Sequence, residues 1–208
     1  MALKNITLHK GDLPNLAAYN VPYVAIDTET MGLNLQRDRL CLVQLSPGGG
    51  KVDLVQIAAG QQSAPNLAKL LKNAKIGKIF HYARFDVAAL YHAFGAMTEN
   101  IFCTKIASKL ARTYTDRHGL KDLCAELLDL QISKQQQSSY WGAENLSEAQ
   151  QQYAAGDVLY LHKLQEILAA RLADLGRQEL AEDCFKFLPA RVKLDLAGWD
   201  EQDIFAHS

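Results

Sequence analysis

A chain of 208 residues, 49% hydrophobic and 22% charged, has the length and apolar content for one ordinary core. Its net charge of −1 excludes the broadly basic surface expected of a protein that grips long nucleic-acid polymers. No apolar run approaches the ~20 residues of a membrane span, and the N-terminus lacks the basic-then-apolar layout of a signal peptide, so the expected compartment is the cytoplasm.

The first predicted element is a strand over Tyr23 to Ile26, from the β-branched and aromatic run that starts at Val21. Asp27 and Glu29 follow it, two residues apart, so on an extended backbone both carboxylates point to one side. Like charges on one face repel unless a cation lies between them, and hard oxygen donors suit Mg²⁺ or Mn²⁺ better than zinc. Taken alone, the pair reads equally well as a solvated strand end. Further strands are expected at Leu40 to Leu45 and Lys51 to Val55, joined by a hairpin-like turn at Pro47 to Gly50.

A helix from Pro65 to Lys72 is predicted next, with Ser63 as its cap and Pro65 in its first turn. A strand at Lys78 to His81 then leads into a helix over Phe85 to Phe94. Asp86 lies at the start of that helix, where an acid suits the positive end of the dipole. A short strand near Ile101 and helices from Thr104 and Leu120 come after. Lys105, Lys109 and Arg112 recur at helical spacing, followed by Arg117, His118 and Lys121. This is either a solvated helix face or a rim that contacts phosphate. Gln135 to Gln137 and the neighbouring serines read as a polar loop.

Ser147 opens a Ser-x-x-Gln capping box with Gln150 and starts a helix. Apolar residues follow at Tyr153, Ala154, Val158, Leu161, Leu164 and Leu168. Tyr153 and Asp157, four apart, stack on one face. A carboxylate on an inward face is costly unless a partner or metal meets it; a core tyrosine hydrogen-bonded to its neighbour is the alternative. Cys41, Cys103, Cys124 and Cys184 are widely spaced with no Cys-x-x-Cys, so reduced core cysteines are expected.

In order and spacing, Asp27-x-Glu29, Asp86 and Tyr153-x-x-x-Asp157 resemble the DEDD exonuclease superfamily, tyrosine branch, which includes ribonuclease D. The histidine branch would place its histidine at the position of Gln152. Within that superfamily, the stretches Arg37 to Leu45, Phe102 to Leu120, Ile132 to Ser139 and Leu194 to Ser208 are similar to the nanoRNase C family of bacterial short-RNA nucleases. Tyr140 departs from that pattern, which has an acidic residue before Trp141.

The resemblance implies an α/β fold with a ribonuclease H-like mixed sheet flanked by helices. It implies one 3′-5′ exonuclease domain over residues 1–208, with a catalytic core of about 20–175 and a C-terminal helix and tail, 176–208, in oligomer contacts. Two divalent cations, Mg²⁺ or Mn²⁺, would be held by Asp27, Glu29, Asp86 and Asp157, with Tyr153 aligning the attacking water. Leu33 resembles the apolar wedge set beside terminal bases, with Met31 next to it. His81, Arg84 and Arg112 are further candidates for substrate contact. The implied substrate is short single-stranded RNA, dinucleotides included, in the bacterial cytoplasm. DNA, or longer RNA trimmed in the manner of ribonuclease D, is the alternative, and an inactive nucleic-acid-binding module is a third reading. The implied assembly is a ring-shaped homo-octamer, and the apolar tail residues Trp199, Ile204 and Phe205 either fold back or meet a neighbour.

Overall fold

Six strands form one mixed sheet, and the computed structural model describes residues 5–132, 136 and 138–207 of the chain. The strands are β1 (Ile6–Lys10), β2 (Tyr23–Thr30), β3 (Leu40–Gly48), β4 (Lys51–Gln56), β5 (Gly77–Phe80) and β6 (Ile101–Cys103), in spatial order β1-β4-β3-β2-β5-β6. β2, β3 and β4 pair antiparallel as a meander, whereas β1 on β4, β5 on β2 and β6 on β5 pair parallel. The turn between β3 and β4 pairs Gly48 with Lys51 and leaves Gly49 and Gly50 at φ 63° and 76°. Two central residues at positive φ are what a tight twisted hairpin requires, and glycine adopts them without a Cβ clash.

Helices flank this sheet: α1 (Pro65–Leu71), α2 (Ala83–Phe94), α3 (Thr104–Ala111), α4 (Leu120–Leu128), α5 (Glu148–Leu159), α6 (Leu161–Asp174) and α7 (Gln178–Leu194). Helix α5 packs on β2, β3 and β4, while α2 packs on β2, β5 and α7. The core is built from buried aliphatic side chains of the strands and the inward faces of these helices, among them Ile26, Leu42, Val87 and Val158. All four cysteines are free thiols, three of them buried. Among the described residues no helix is long and apolar enough to cross a membrane.

Several elements differ from the sequence reading. β2 does not stop at Ile26 but runs on to Thr30, because β3 continues to pair with it as far as Thr30 against Leu40. Asp27 and Glu29 therefore lie inside a strand. Ser63 does not cap α1; the Asp12 carboxylate accepts from the N–H groups of Asn66 and Leu67 at 2.7 and 3.0 Å. That cap comes from a distant loop, which local patterning does not reveal. Helix α2 starts two residues earlier than expected, behind Tyr82 in a left-handed conformation (φ 71°). The helix that starts at Ser147, whose capping box is present, breaks at Tyr160 into α5 and α6. β1 was not anticipated at all. Ser133 to Gln135 and Gln137, which include part of the polar-loop expectation, lie outside the described residues.

Candidate active site

β2, α2 and α5 deliver the acids to one place. Asp27 and Glu29 flank Thr28 on β2, Asp86 sits in the first turn of α2, and Asp157 follows Tyr153 by one turn of α5. One carboxylate oxygen from each of Asp27, Glu29 and Asp157 lies within 4.8 Å of the other two. Asp86 lines the same cleft as this trio, is itself buried, and accepts a hydrogen bond from the Thr28 hydroxyl at 2.7 Å. Asp27 accepts from the Gln44 amide at 3.3 Å.

So many acids in one partly dry site repel one another. Burial, then the charges of Asp86, Asp157 and Glu29, hold the Asp27 carboxyl well above the usual carboxylate range. Burial and the charges of Asp157 and Asp86 push Glu29 up to about 9. Asp86 is pushed up to about 7 by burial, with the Thr28 hydrogen bond pulling it down. Tyr153 packs against Trp141 with ring centroids 6.1 Å apart, and its hydroxyl donates to Asp157. Burial and the carboxylates of Asp157, Glu29 and Asp27 raise its pKa, so the phenol keeps its proton at neutral pH.

These side chains open onto a cleft of about 720 Å³, also lined by Met31, Leu33, His81, Tyr82, Lys105, Lys121 and Trp141. The loop carrying Met31 and Leu33 is fastened by Asp38, which accepts from the Asn34 N–H at 3.0 Å. Gly32 lies so close to Asp38 that a Cβ there would collide with the carboxylate. The chain just after Trp141 is anchored to the sheet: the carbonyls of Ala143 and Glu144 accept from Gln56 and Lys10, both at 2.7 Å.

A family model described as 3′-5′ exonuclease matches residues 15–173, a span that includes all four acids and Tyr153. The chain belongs to the 3′-5′ exonuclease family. Within it, the chain is similar to Brucella melitensis NrnC bound to pGG, at 65% identity over 98% of this chain and 99% of that one, with a TM-score of 0.96. It is likewise similar to Brucella melitensis NrnC with bound Mg²⁺, at 63% identity over 99% and 100% of the two chains and a TM-score of 0.95. Ribonuclease D of Gluconacetobacter diazotrophicus is 37% identical over 156 residues, or 75% of this chain. The chain spans only 39% of that ribonuclease D's length.

For this exonuclease domain, the structure brings Asp27, Glu29, Asp86, Tyr153, Asp157, Met31, Leu33 and His81 to one cleft. Leu33 is not tucked into the core but stands 85% exposed. The His81 Nδ1 lies 2.9 Å from the Thr104 hydroxyl.

Arg84 and Arg112 correct the sequence reading. Arg84 turns from the cleft to the C-terminal segment: its guanidinium donates to both Asp195 carboxylate oxygens at 2.6 and 2.9 Å, and to the Asp200 carbonyl. Arg112 is fully buried, paired with Glu126 and donating to the Arg117 carbonyl and the Ser108 hydroxyl. A guanidinium forked onto carboxylates in this way has its charge already matched. The basic face of α3 therefore offers Lys105 to the cleft, without Arg112.

Sequence reasoning missed Thr28, Gln44 and Tyr82 at this site. Gln44 had a readable signal, as the one polar residue in the apolar run from Leu40 to Leu45. Tyr82 had none, because its left-handed backbone and the stacking of Lys105 Nζ over its ring at 4.4 Å are set by tertiary structure.

Proposed function

We propose that the protein is a two-cation-dependent 3′-5′ exoribonuclease that hydrolyses very short RNAs, dinucleotides included, to nucleoside monophosphates. The observation that carries this reading is the convergence of Asp27, Glu29 and Asp157 oxygens within 4.8 Å, at the floor of a cleft of about 720 Å³. A cleft of that size falls in the ~300–1,000 Å³ range of small-ligand sites. The net charge of −1 suits a small footprint better than a long polymer track. NrnC's binding of pGG and of Mg²⁺ supports the same reading.

The donor set fits the cations. Carboxylate oxygens are the hard ligands that Mg²⁺ and Mn²⁺ take, and the repulsion that raises Asp27 and Glu29 is what a cation among them relieves. Asp27, Glu29 and Asp157 would hold one, Asp27 would reach a second, and Asp86 would support it through water. When bound, the pair lowers the pKa of the attacking water and neutralises charge on the leaving oxygen.

The chain's own residues supply binding and alignment. Leu33 and Met31 wedge against the terminal base, where such a contact contributes ~1–3 kcal/mol, and His81 with Lys105 faces the sugar and phosphate. The protonated Tyr153 hydroxyl, steadied by Trp141, orients the water in line with phosphorus. The water oxygen bonds to phosphorus and releases a proton to solvent, the P–O3′ bond breaks, and the departing 3′ oxygen takes up a proton from solvent.

The assembly belongs to this proposal as a ring-shaped homo-octamer in the bacterial cytoplasm. Its support is the tail: although Arg84 and Arg191 fold it back, Trp199, Ile204 and Phe205 stay 43%, 46% and 75% exposed.

The test is cleavage of 5′-labelled RNAs from two to about twenty nucleotides with Mn²⁺, beside Asp27→Ala. Rapid dinucleotide cleavage abolished in Asp27→Ala is expected. Long RNAs that shorten readily and stall at dinucleotides would instead establish a ribonuclease D-like trimmer, and binding without cleavage an inactive module.

A further inference from the structure

From Leu40 to Leu45, β3 is buried throughout and apolar except at Gln44, which is itself 0% exposed. A buried amide is costly unless its polar atoms are partnered. Only half of this one is: Nε2 donates to Asp27 Oδ2 at 3.3 Å, while Oε1 meets no partner among the described residues. The strand register sets Gln44 directly across from Asp27. Packing alone would favour leucine or methionine here, since either would fill the space without stranding an oxygen. The amide therefore answers to Asp27 and not to the core.

Asp27 needs such a partner. It lies among three other carboxylates, so its preferred rotation in the absence of a donor is away from Glu29 and Asp157, with which its oxygens must converge. A donor fixed by the strand register opposes that rotation. Partners of this kind, which orient ligating carboxylates without touching the cation, typically change metal affinity by ~10- to 100-fold when removed.

We infer that Gln44 is a positioning residue for Asp27, holding its carboxylate in the orientation in which it shares a divalent cation with Glu29 and Asp157. This rests on the cation-binding reading above. The test is isothermal titration of Mn²⁺ into the full chain without substrate, for wild type, Asp27→Ala, Gln44→Met and Gln44→Asn, with thermal melts in chelator. Gln44→Met removes both polar atoms at similar volume. Gln44→Asn keeps an amide one methylene too short to reach. Both are expected to weaken Mn²⁺ binding by about 10- to 100-fold. Gln44→Met should also melt near the wild-type temperature, because loss of the stranded oxygen offsets loss of the hydrogen bond to Asp27.

Unchanged Mn²⁺ affinity in either variant overturns the inference. If Gln44→Met fails to fold, Gln44→Asn decides by the same criterion. Wild type that binds no Mn²⁺, or binds it no better than Asp27→Ala, overturns the cation-site reading and this inference with it.

Discussion

The Thr28 hydroxyl donates to the Asp86 carboxylate at 2.7 Å, tying the strand that carries Asp27 to the first turn of α2. Both residues are buried, so neither has water as a substitute partner. Thr28→Val keeps the shape and removes the donor. The expected outcome is a loss of about 1–3 kcal/mol in stability, the desolvation penalty of an orphaned acceptor. Asp86, already pushed up to about 7, should titrate higher still. Urea unfolding and the pH dependence of cleavage check the two halves of this prediction.

Metal-free protein should lose stability as pH rises. Glu29 and Asp86 hold their protons more tightly folded, at about 9 and about 7, than in an unfolded chain. Between ~4 and those values the folded state binds more protons than the unfolded one, and stability then falls with increasing pH. Melting temperatures in chelator should decline from pH 5 towards 9. Added Mg²⁺ should restore them, by more at the alkaline end, and binding should release protons to the buffer. A chelator melting curve that is flat across this window would contradict the assignment.

Tyr153→Phe separates orientation from proton abstraction. In metal-free protein, burial and the surrounding carboxylates keep the phenol protonated, the form in which its hydroxyl aligns a water. The turnover rate should fall by about 100-fold or more, with Mn²⁺ affinity retained. The wild-type rate should show no tyrosine ionisation below pH 10. A tyrosine-dependent break in that profile near neutrality would make Tyr153 the base.

Arg84 serves the C-terminal segment. Asp195 receives Arg84 and also Arg191, at 2.6 Å, and the Gln36 amide reaches the Leu196 carbonyl at 3.0 Å. The Arg84 side chain is a third exposed, which screens the pair. Arg84→Ala should therefore cost about 1–2 kcal/mol and loosen the tail, read as faster proteolysis after α7. The Michaelis constant for a dinucleotide should change little. A large rise in that constant with an intact tail would return Arg84 to the substrate.

Much of the site was legible because catalysis and folding disagree at the residues concerned. Asp27 and Glu29 follow directly on an apolar run, and Asp157 sits at helical spacing among core positions, so each is conspicuous against its surroundings. Arg112 shows the limit of that logic. Its spacing with Lys105 and Lys109 placed it on a basic face, yet the following turn brings Glu126 back over it, and the guanidinium ends up inside. Helical periodicity assigns a direction but cannot say what the chain later lays on top. β1 was illegible for a related reason: Ile6–Lys10 mixes polar and apolar residues because it is an edge strand, partnered only by β4.

Asp157 belongs to the fifth helix of the chain and Asp27 to its second strand, and their carboxylates meet only after α5 has docked on the sheet. A chain still emerging in N-to-C order carries Asp27, Glu29 and Asp86 long before it can complete the cluster. Hydrolytic competence is thus withheld from every fragment that stops short of α5, and arrives only once that helix has been made and packed.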